Sequence, residues 1–121
     1  MEVGKLTRSA AGVHCILELN GCPYELLDDE GFVRVAVEHA SEKALSTLLN
    51  LHSHKFSPQG VTAVGLLAES HLAIHTWPEM NYAAIDIFTC GVSADPRKAC
   101  HFLVGHFKAK CHSIIVLERG G

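Results

Sequence analysis

The stretch Val61–Trp77, VTAVGLLAESHLAIHTW, is rich in valine, leucine, isoleucine and threonine and carries one carboxylate, at Glu69. Those residue types suit a pleated backbone, so it reads as a long extended stretch interrupted near Glu69 to His71. Working outward, Tyr82–Cys90 is a further strand with Ile85, Ile87 and Thr89 on one face and Asp86, Phe88 and Cys90 on the other. Leu51–Phe56 is a short strand that leads into Pro58-Gln59-Gly60, a turn signal. In Val13–Leu19 the apolar Val13, Cys15, Leu17 and Leu19 alternate with His14 and Glu18, and Ile114–Leu117 is a last apolar strand.

Two segments have helical period instead. After Asp28 and Asp29, the residues Phe32, Val33, Ala36, Val37, Ala40, Ala44, Leu45 and Leu48 recur at helical spacing, with acids at the positive end of the dipole. Asp95-Pro96 opens a second helix that runs to about Phe107, because aspartate caps orphan N–H groups and proline is tolerated where its own N–H is not needed. The order β, α, β, β, β, α, β, with strands clustered mid-chain, predicts an α+β two-layer sandwich: a mainly antiparallel sheet with helices on one face.

A chain of 121 residues with 48% apolar content fits one domain, residues 1–121. Its net charge of −3 and the lack of a basic run argue against a nucleic-acid or membrane-surface partner and for a small molecule or another protein. No segment reads as a membrane span or a secretory signal. Five cysteines at irregular spacing fit a reducing cytoplasm better than a disulfide framework.

Two polar islands interrupt the apolar strands: Glu69-Ser70-His71 with His75 soon after, and Thr89-Cys90-Gly91. Polar groups inside buried strand are either satisfied core hydrogen bonds or a site. His71 and His75 do not read as a metal pair, since residues four apart on a strand lie about 13 Å from each other. His52 and His54 are closer but have no recognisable third ligand, so no metal is expected. Cys90 is either an ordinary buried thiol or, at a strand end before Gly91, an acid open to a cleft. Ser70 and His75 could pair as nucleophile and base, although no orienting third residue is evident.

The blocks Ala68-Glu69-Ser70-His71, Ile74-His75-Thr76-Trp77-Pro78-Glu79, Tyr82-Ala83-Ala84-Ile85-Asp86 and Phe88-Thr89-Cys90-Gly91 resemble the prokaryotic S-adenosylmethionine decarboxylase proenzymes. So do His54-Lys55-Phe56-Ser57-Pro58-Gln59-Gly60-Val61, Leu26-Leu27-Asp28-Asp29 and Leu117-Glu118-Arg119-Gly120, so the resemblance covers nearly the whole chain from about Val13. Asn20 and Pro23, around Gly21-Cys22, depart from it; many relatives have tyrosine and aspartate there.

The resemblance implies self-cleavage between Glu69 and Ser70, which gives a β chain of residues 1–69 and an α chain of residues 70–121. Ser70 becomes a covalent pyruvoyl cofactor whose ketone condenses with the amine of S-adenosylmethionine and accepts the electrons left when carbon dioxide departs. It further implies Cys90 as the proton donor in catalysis, His75 as the proton acceptor in processing, and Thr62 as processing support. Phe56 is implied at the nucleoside and Glu79 at the ribose hydroxyls; without the resemblance they read as core packing and a solvated acid. The implied product feeds spermidine synthesis, and the implied assembly is a homodimer of processed α/β pairs.

Ser70 and His75 have opposite strand parity, so a kink or bulge near the cleavage site is expected to bring them together. Two rivals stay open on the residues alone: an arginine decarboxylase of the same pyruvoyl type, and an uncleaved homologue acting as a binding subunit.

Overall fold

A computed structural model describes residues 11–68, 70–90 and 94–120. One sheet carries the fold: β1 (Gly12–Asn20), β2 (Leu48–Lys55), β3 (Val61–Leu67), β4 (Ser70–Trp77), β5 (Tyr82–Thr89) and β6 (Cys111–Arg119). Its spatial order is β2-β3-β4-β5-β1-β6, with every neighbouring pair antiparallel. The helices α1 (Tyr24–Leu27), α2 (Glu30–Lys43) and α3 (Pro96–His106) complete the α+β two-layer sandwich that the element order predicts.

The alternation in β1 and β5 decides which sheet face is covered. Cys15, Leu17 and Leu19, with Ile87, Ile85 and Ala83 opposite in turn, are buried beneath Val33, Val37 and Ala40 of α2 and Cys100 and Leu103 of α3. Phe107, just past α3, is the largest fully buried side chain. Gly65 on β3 lies where a Cβ would sit 2.7 Å from Val37 Cγ1, so a glycine lets α2 approach the sheet. The other sheet face has no helix over it among the described residues. It exposes Val64, Leu66, Ile115 and Leu117 and holds a row of half-buried polar groups between them.

The predicted cap at Asp95 is present, and Asp29, read from the sequence only as an acid at the dipole's positive end, caps the first helix as well. Asp29 accepts from Phe32 N–H at 3.0 Å, and Asp95 accepts from Lys98 N–H at 3.3 Å. The first helix is shorter than its apolar period: α2 stops at Lys43, and Leu45 has φ of 59°, a left-handed conformation that ends a helix. Leu48 thereby enters β2.

Two expectations need correction. Val61–Trp77 is two strands, since Leu67 pairs with Ser70 and the chain turns back on itself, so the sheet has six strands. No bulge reconciles Ser70 with His75: β4 pairs in unbroken register with β3 from Ser70 to His75 and with β5 from His71 to Trp77. The one irregularity in the sheet's described registers lies in β2, between Leu48 and Asn50. Regular pleat therefore leaves Ser70 and His75 on opposite faces, five residues or about 17 Å apart along β4.

Candidate active site

The sequence-predicted residues fall into two groups at opposite ends of β4. At one end, Thr62 and His75 are register partners on β3 and β4, and Thr62 Oγ1 lies 3.1 Å from His75 Nδ1. They line a cleft of about 350 Å³ together with Phe56, Gln59, Trp77 and Glu79. Phe56 is exposed and meets His54 edge-on at 4.6 Å between ring centroids. Glu79 is exposed in the short 3₁₀ turn Pro78–Met80, which ends on Asn81 at φ of 53°. Gln59 and Trp77 are cleft residues to which the sequence reading gave no role, although both lie inside the motif blocks that carry the resemblance.

This end is built around two anchors. Thr76 is buried; its Oγ1 donates to Leu27 C=O at 2.7 Å and accepts from Val61 N–H at 2.8 Å, which fastens α1 to the cleft floor. Asp28 Oδ1 accepts from Gly60 N–H and from Lys55 Nζ, both at 2.9 Å. The Gly60 N–H and the Lys55 ammonium hold the Asp28 carboxyl below the usual carboxylate range. Gly60 has φ of 110°, open to glycine, and its C=O accepts from Phe56 N–H at 2.8 Å. Asp28 thus fixes the loop that presents Phe56. Asp28→Ala is expected to raise KM for the molecule bound in this cleft roughly three- to tenfold with kcat nearly unchanged, measurable by steady-state kinetics.

At the other end, Ser70 opens β4, half-buried, with its hydroxyl donating to Ala68 C=O at a long 3.4 Å. Glu69, the other half of the predicted scissile bond, lies outside the described residues, as does Gly91. Cys90 is half-buried just past the end of β5. Because His71 pairs with Phe88, Ser70 and Cys90 sit at the same end of the β4–β5 pair. The structure thus places Ser70 and Cys90 at one end of the β4–β5 pair and gathers His75 with Thr62, Phe56 and Glu79 at the other. Within one chain the two groups are not joined.

Beside the Ser70 end is a cluster that the sequence did not reveal. His14 Nε2 and His71 Nε2 lie 2.9 Å and 2.8 Å from the same oxygen, Asp86 Oδ2. These three side chains have the types of a metal site, with ligand atoms within 4.8 Å of one another. Their wiring fits a hydrogen-bonded brace on the Asp86 carboxylate better. Arg119 Nη1 lies 3.1 Å from His14 Nδ1 and can only donate, so Nδ1 accepts and the ring proton sits on Nε2, aimed at Asp86. A neutral histidine bound to metal through Nε2 would carry its proton on Nδ1, against the guanidinium. Burial alone would raise the Asp86 pKa, but the hydrogen bonds from His71 and His14 outweigh it and hold the carboxyl below its usual range.

The comparisons with known proteins agree with this fold and these motifs. The family profile described as S-adenosylmethionine decarboxylase matches residues 13–120. A curated S-adenosylmethionine decarboxylase proenzyme of Prochlorococcus marinus (strain MIT 9211) is 56% identical over 108 residues, covering 89% of this chain and 88% of the relative. One of Moorella thermoacetica is 45% identical over 111 residues, covering 92% and 89%. The crystal structure of adenosylmethionine decarboxylase from Aquifex aeolicus superposes with a TM-score of 0.87 at 33% identity, covering 93% of each chain. A Trypanosoma brucei AdoMetDC monomer shares the fold at a TM-score of 0.65 and 16% identity, over 86% of this chain and 45% of that one.

Fold and relatives together define a decarboxylase of the two-layer α+β type. The chain belongs to the S-adenosylmethionine decarboxylase family, and its activity is decarboxylation of S-adenosylmethionine.

Proposed function

We propose that the chain makes its own cofactor by cutting the Glu69–Ser70 bond, and that each active site is completed by a second copy. The observation that carries the reading is the placement of Ser70. It is the first residue of β4, three residues past its register partner Leu67, so a cut before it severs the β3–β4 link and leaves both ladders of β4 intact.

The chemistry balances without an outside reagent other than water. The Ser70 hydroxyl oxygen attacks the Glu69 carbonyl carbon and the peptide C–N bond breaks, so an ester replaces the amide. Loss of the Ser70 Cα proton expels the Glu69 carboxylate, and water replaces the nitrogen of the resulting enamine, releasing ammonia. Chains 1–69 and 70–121 remain, the second beginning with a pyruvoyl carbonyl. That carbonyl supplies the electron sink for loss of carbon dioxide.

This chain's side chains take the remaining roles. His75, with Nδ1 facing Thr62 Oγ1, moves protons during processing, and Thr62 fixes its ring. Phe56 offers a face to the nucleoside and to the sulfonium, and Glu79 accepts from the ribose hydroxyls. Cys90, at the Ser70 end, returns the proton to the substrate's α-carbon. The product would supply aminopropyl groups for spermidine synthesis. The thiols of Cys15, Cys22, Cys100 and Cys111, none of them in a disulfide, favour a reducing cytoplasm.

A separation of about 17 Å is too great for His75 to serve the Ser70 of its own chain. A two-fold axis between two open sheet faces, crossing the strands at right angles, lays the Ser70–Cys90 end of one copy against the His75–Phe56–Glu79 end of the other, and Ser70, the first residue of β4, turns out of the pleat to face it. The exposed Val64, Leu66, Ile115 and Leu117 give that face an apolar surface to bury.

Complementation tests the arrangement. Ser70→Ala disables one end and His75→Ala the other, and each variant alone is expected to be inactive. In a mixed dimer one site receives both lesions and the other none, so random co-assembly restores about a quarter of wild-type activity. Failure to restore any activity in isolated mixed dimers would refute a shared site.

A further inference from the structure

His71, the second residue after the cleavage bond, is tied across the sheet although its side chain is partly open to solvent. His71, Phe88 and His14 form a lateral row over β4, β5 and β1, and both histidines reach diagonally to Asp86, two residues along from Phe88. The Phe88 ring sits among them, 5.7 Å from His14 and 6.2 Å from His71, with the Arg119 guanidinium 5.8 Å above it. Arg119 closes the row from β6 through His14 Nδ1. Four strands thereby converge on one carboxylate.

We infer that Asp86, braced by His14 and Arg119, is a clamp that holds His71, and through it residue 70, in register once the chain has been cut. This rests on the self-cleavage reading above. Before the cut, residue 70 is tethered on both sides. After it, residue 70 is a chain end, and chain ends fray unless tied down. His71 is the first residue of the new chain to retain its side chain, and its peptide nitrogen carries the pyruvoyl group. Its hydrogen bond to Asp86 stops the first step of β4 from peeling off β5, where Cys90 must be reached. His71 and Asp86 are positioning residues. They act on the reacting atoms through the backbone of residue 70, and a carbonyl displaced by about 1 Å loses rate out of proportion to the displacement.

The test compares His71→Ala, His71→Gln and Asp86→Ala with wild type and Ser70→Ala. Three quantities are followed: self-cleavage by intact mass, kcat and KM of the cleaved enzyme, and thermal midpoint. His71→Ala and Asp86→Ala are expected to cleave at close to the wild-type rate, because residue 70 is still tethered on both sides, and then to show kcat lowered by roughly tenfold or more with KM within about twofold. His71→Gln places an amide N–H close to where Nε2 was, and is expected to recover kcat to within about threefold of wild type. A packing role alone would lower the thermal midpoint of both His71 variants without that recovery. If His71→Ala does not fold, His71→Gln and Asp86→Ala decide by the same criteria. A wild-type kcat in cleaved Asp86→Ala or His71→Ala, or a His71→Gln that turns over no faster than His71→Ala, overturns the clamp alone. Wild type that never splits overturns the self-cleavage reading, and the clamp falls with it.

Discussion

Ser70→Ala is expected to remain a single 121-residue chain and to lose decarboxylase activity by at least about 10⁴-fold. The substitution removes one oxygen, and that oxygen has three successive uses: it attacks the Glu69 carbonyl, carries the ester, and departs with the carboxylate. An alanine methyl can do none of these, so neither the cut nor the ketone forms. Packing should hardly change, because Ser70 is half-buried and its hydroxyl makes only a long contact to Ala68 C=O. The variant is therefore expected to keep the wild-type thermal midpoint as a folded, uncut proenzyme. Intact mass and carbon dioxide release measure the two effects independently. A variant that still splits would remove Ser70 from the mechanism.

Cys90→Ser is expected to split normally and then turn over on the order of 10²–10³-fold more slowly, with KM little altered. Its position explains the division. Cys90 lies past the end of β5 on the face shared by Asp86 and Phe88, beside the first residues of β4, whereas the groups assigned to processing, His75 and Thr62, lie at the far end of that strand. A hydroxyl is a far weaker acid than a thiol, so proton return to the substrate's α-carbon suffers while cleavage does not. Equal loss of cleavage and turnover in Cys90→Ser would mean that Cys90 also serves the acyl shift.

Much of the fold was legible because local signals and tertiary packing agree. The alternation of Cys15, Leu17 and Leu19 with His14 and Glu18 is the covered and open face of β1, and Asp29 and Asp95 cap the helices they announce. The turn between β3 and β4 was hard to find for a physical reason. Only Ala68 and Glu69 separate Leu67 from its partner Ser70, and neither is the glycine or asparagine that marks a two-residue hairpin. With apolar residues on both sides, one long strand and two short ones look alike. Helix α1 is four residues long, too short to display a period.

The candidate site was legible in its residue types and not in its assembly. Strand parity correctly separated Ser70 from His75, but the expected bulge assumed that one chain must bring them together. Register across six strands puts Thr62 against His75, and His14 and His71 against Asp86, over separations of 13, 72 and 15 residues. Spacing along the chain does not encode pairings of that range. Asp86 illustrates the loss: in sequence it is an outward-facing acid, and in the sheet it is the common acceptor of two imidazoles.

The most direct test of the central claim is intact mass spectrometry of the purified wild type, with and without prior treatment with a hydrazine. The account predicts two chains, residues 1–69 unmodified and residues 70–121 starting in a carbonyl that takes up one hydrazine. Full decarboxylase activity from an uncut chain, or a cut chain that still begins with serine, would contradict it.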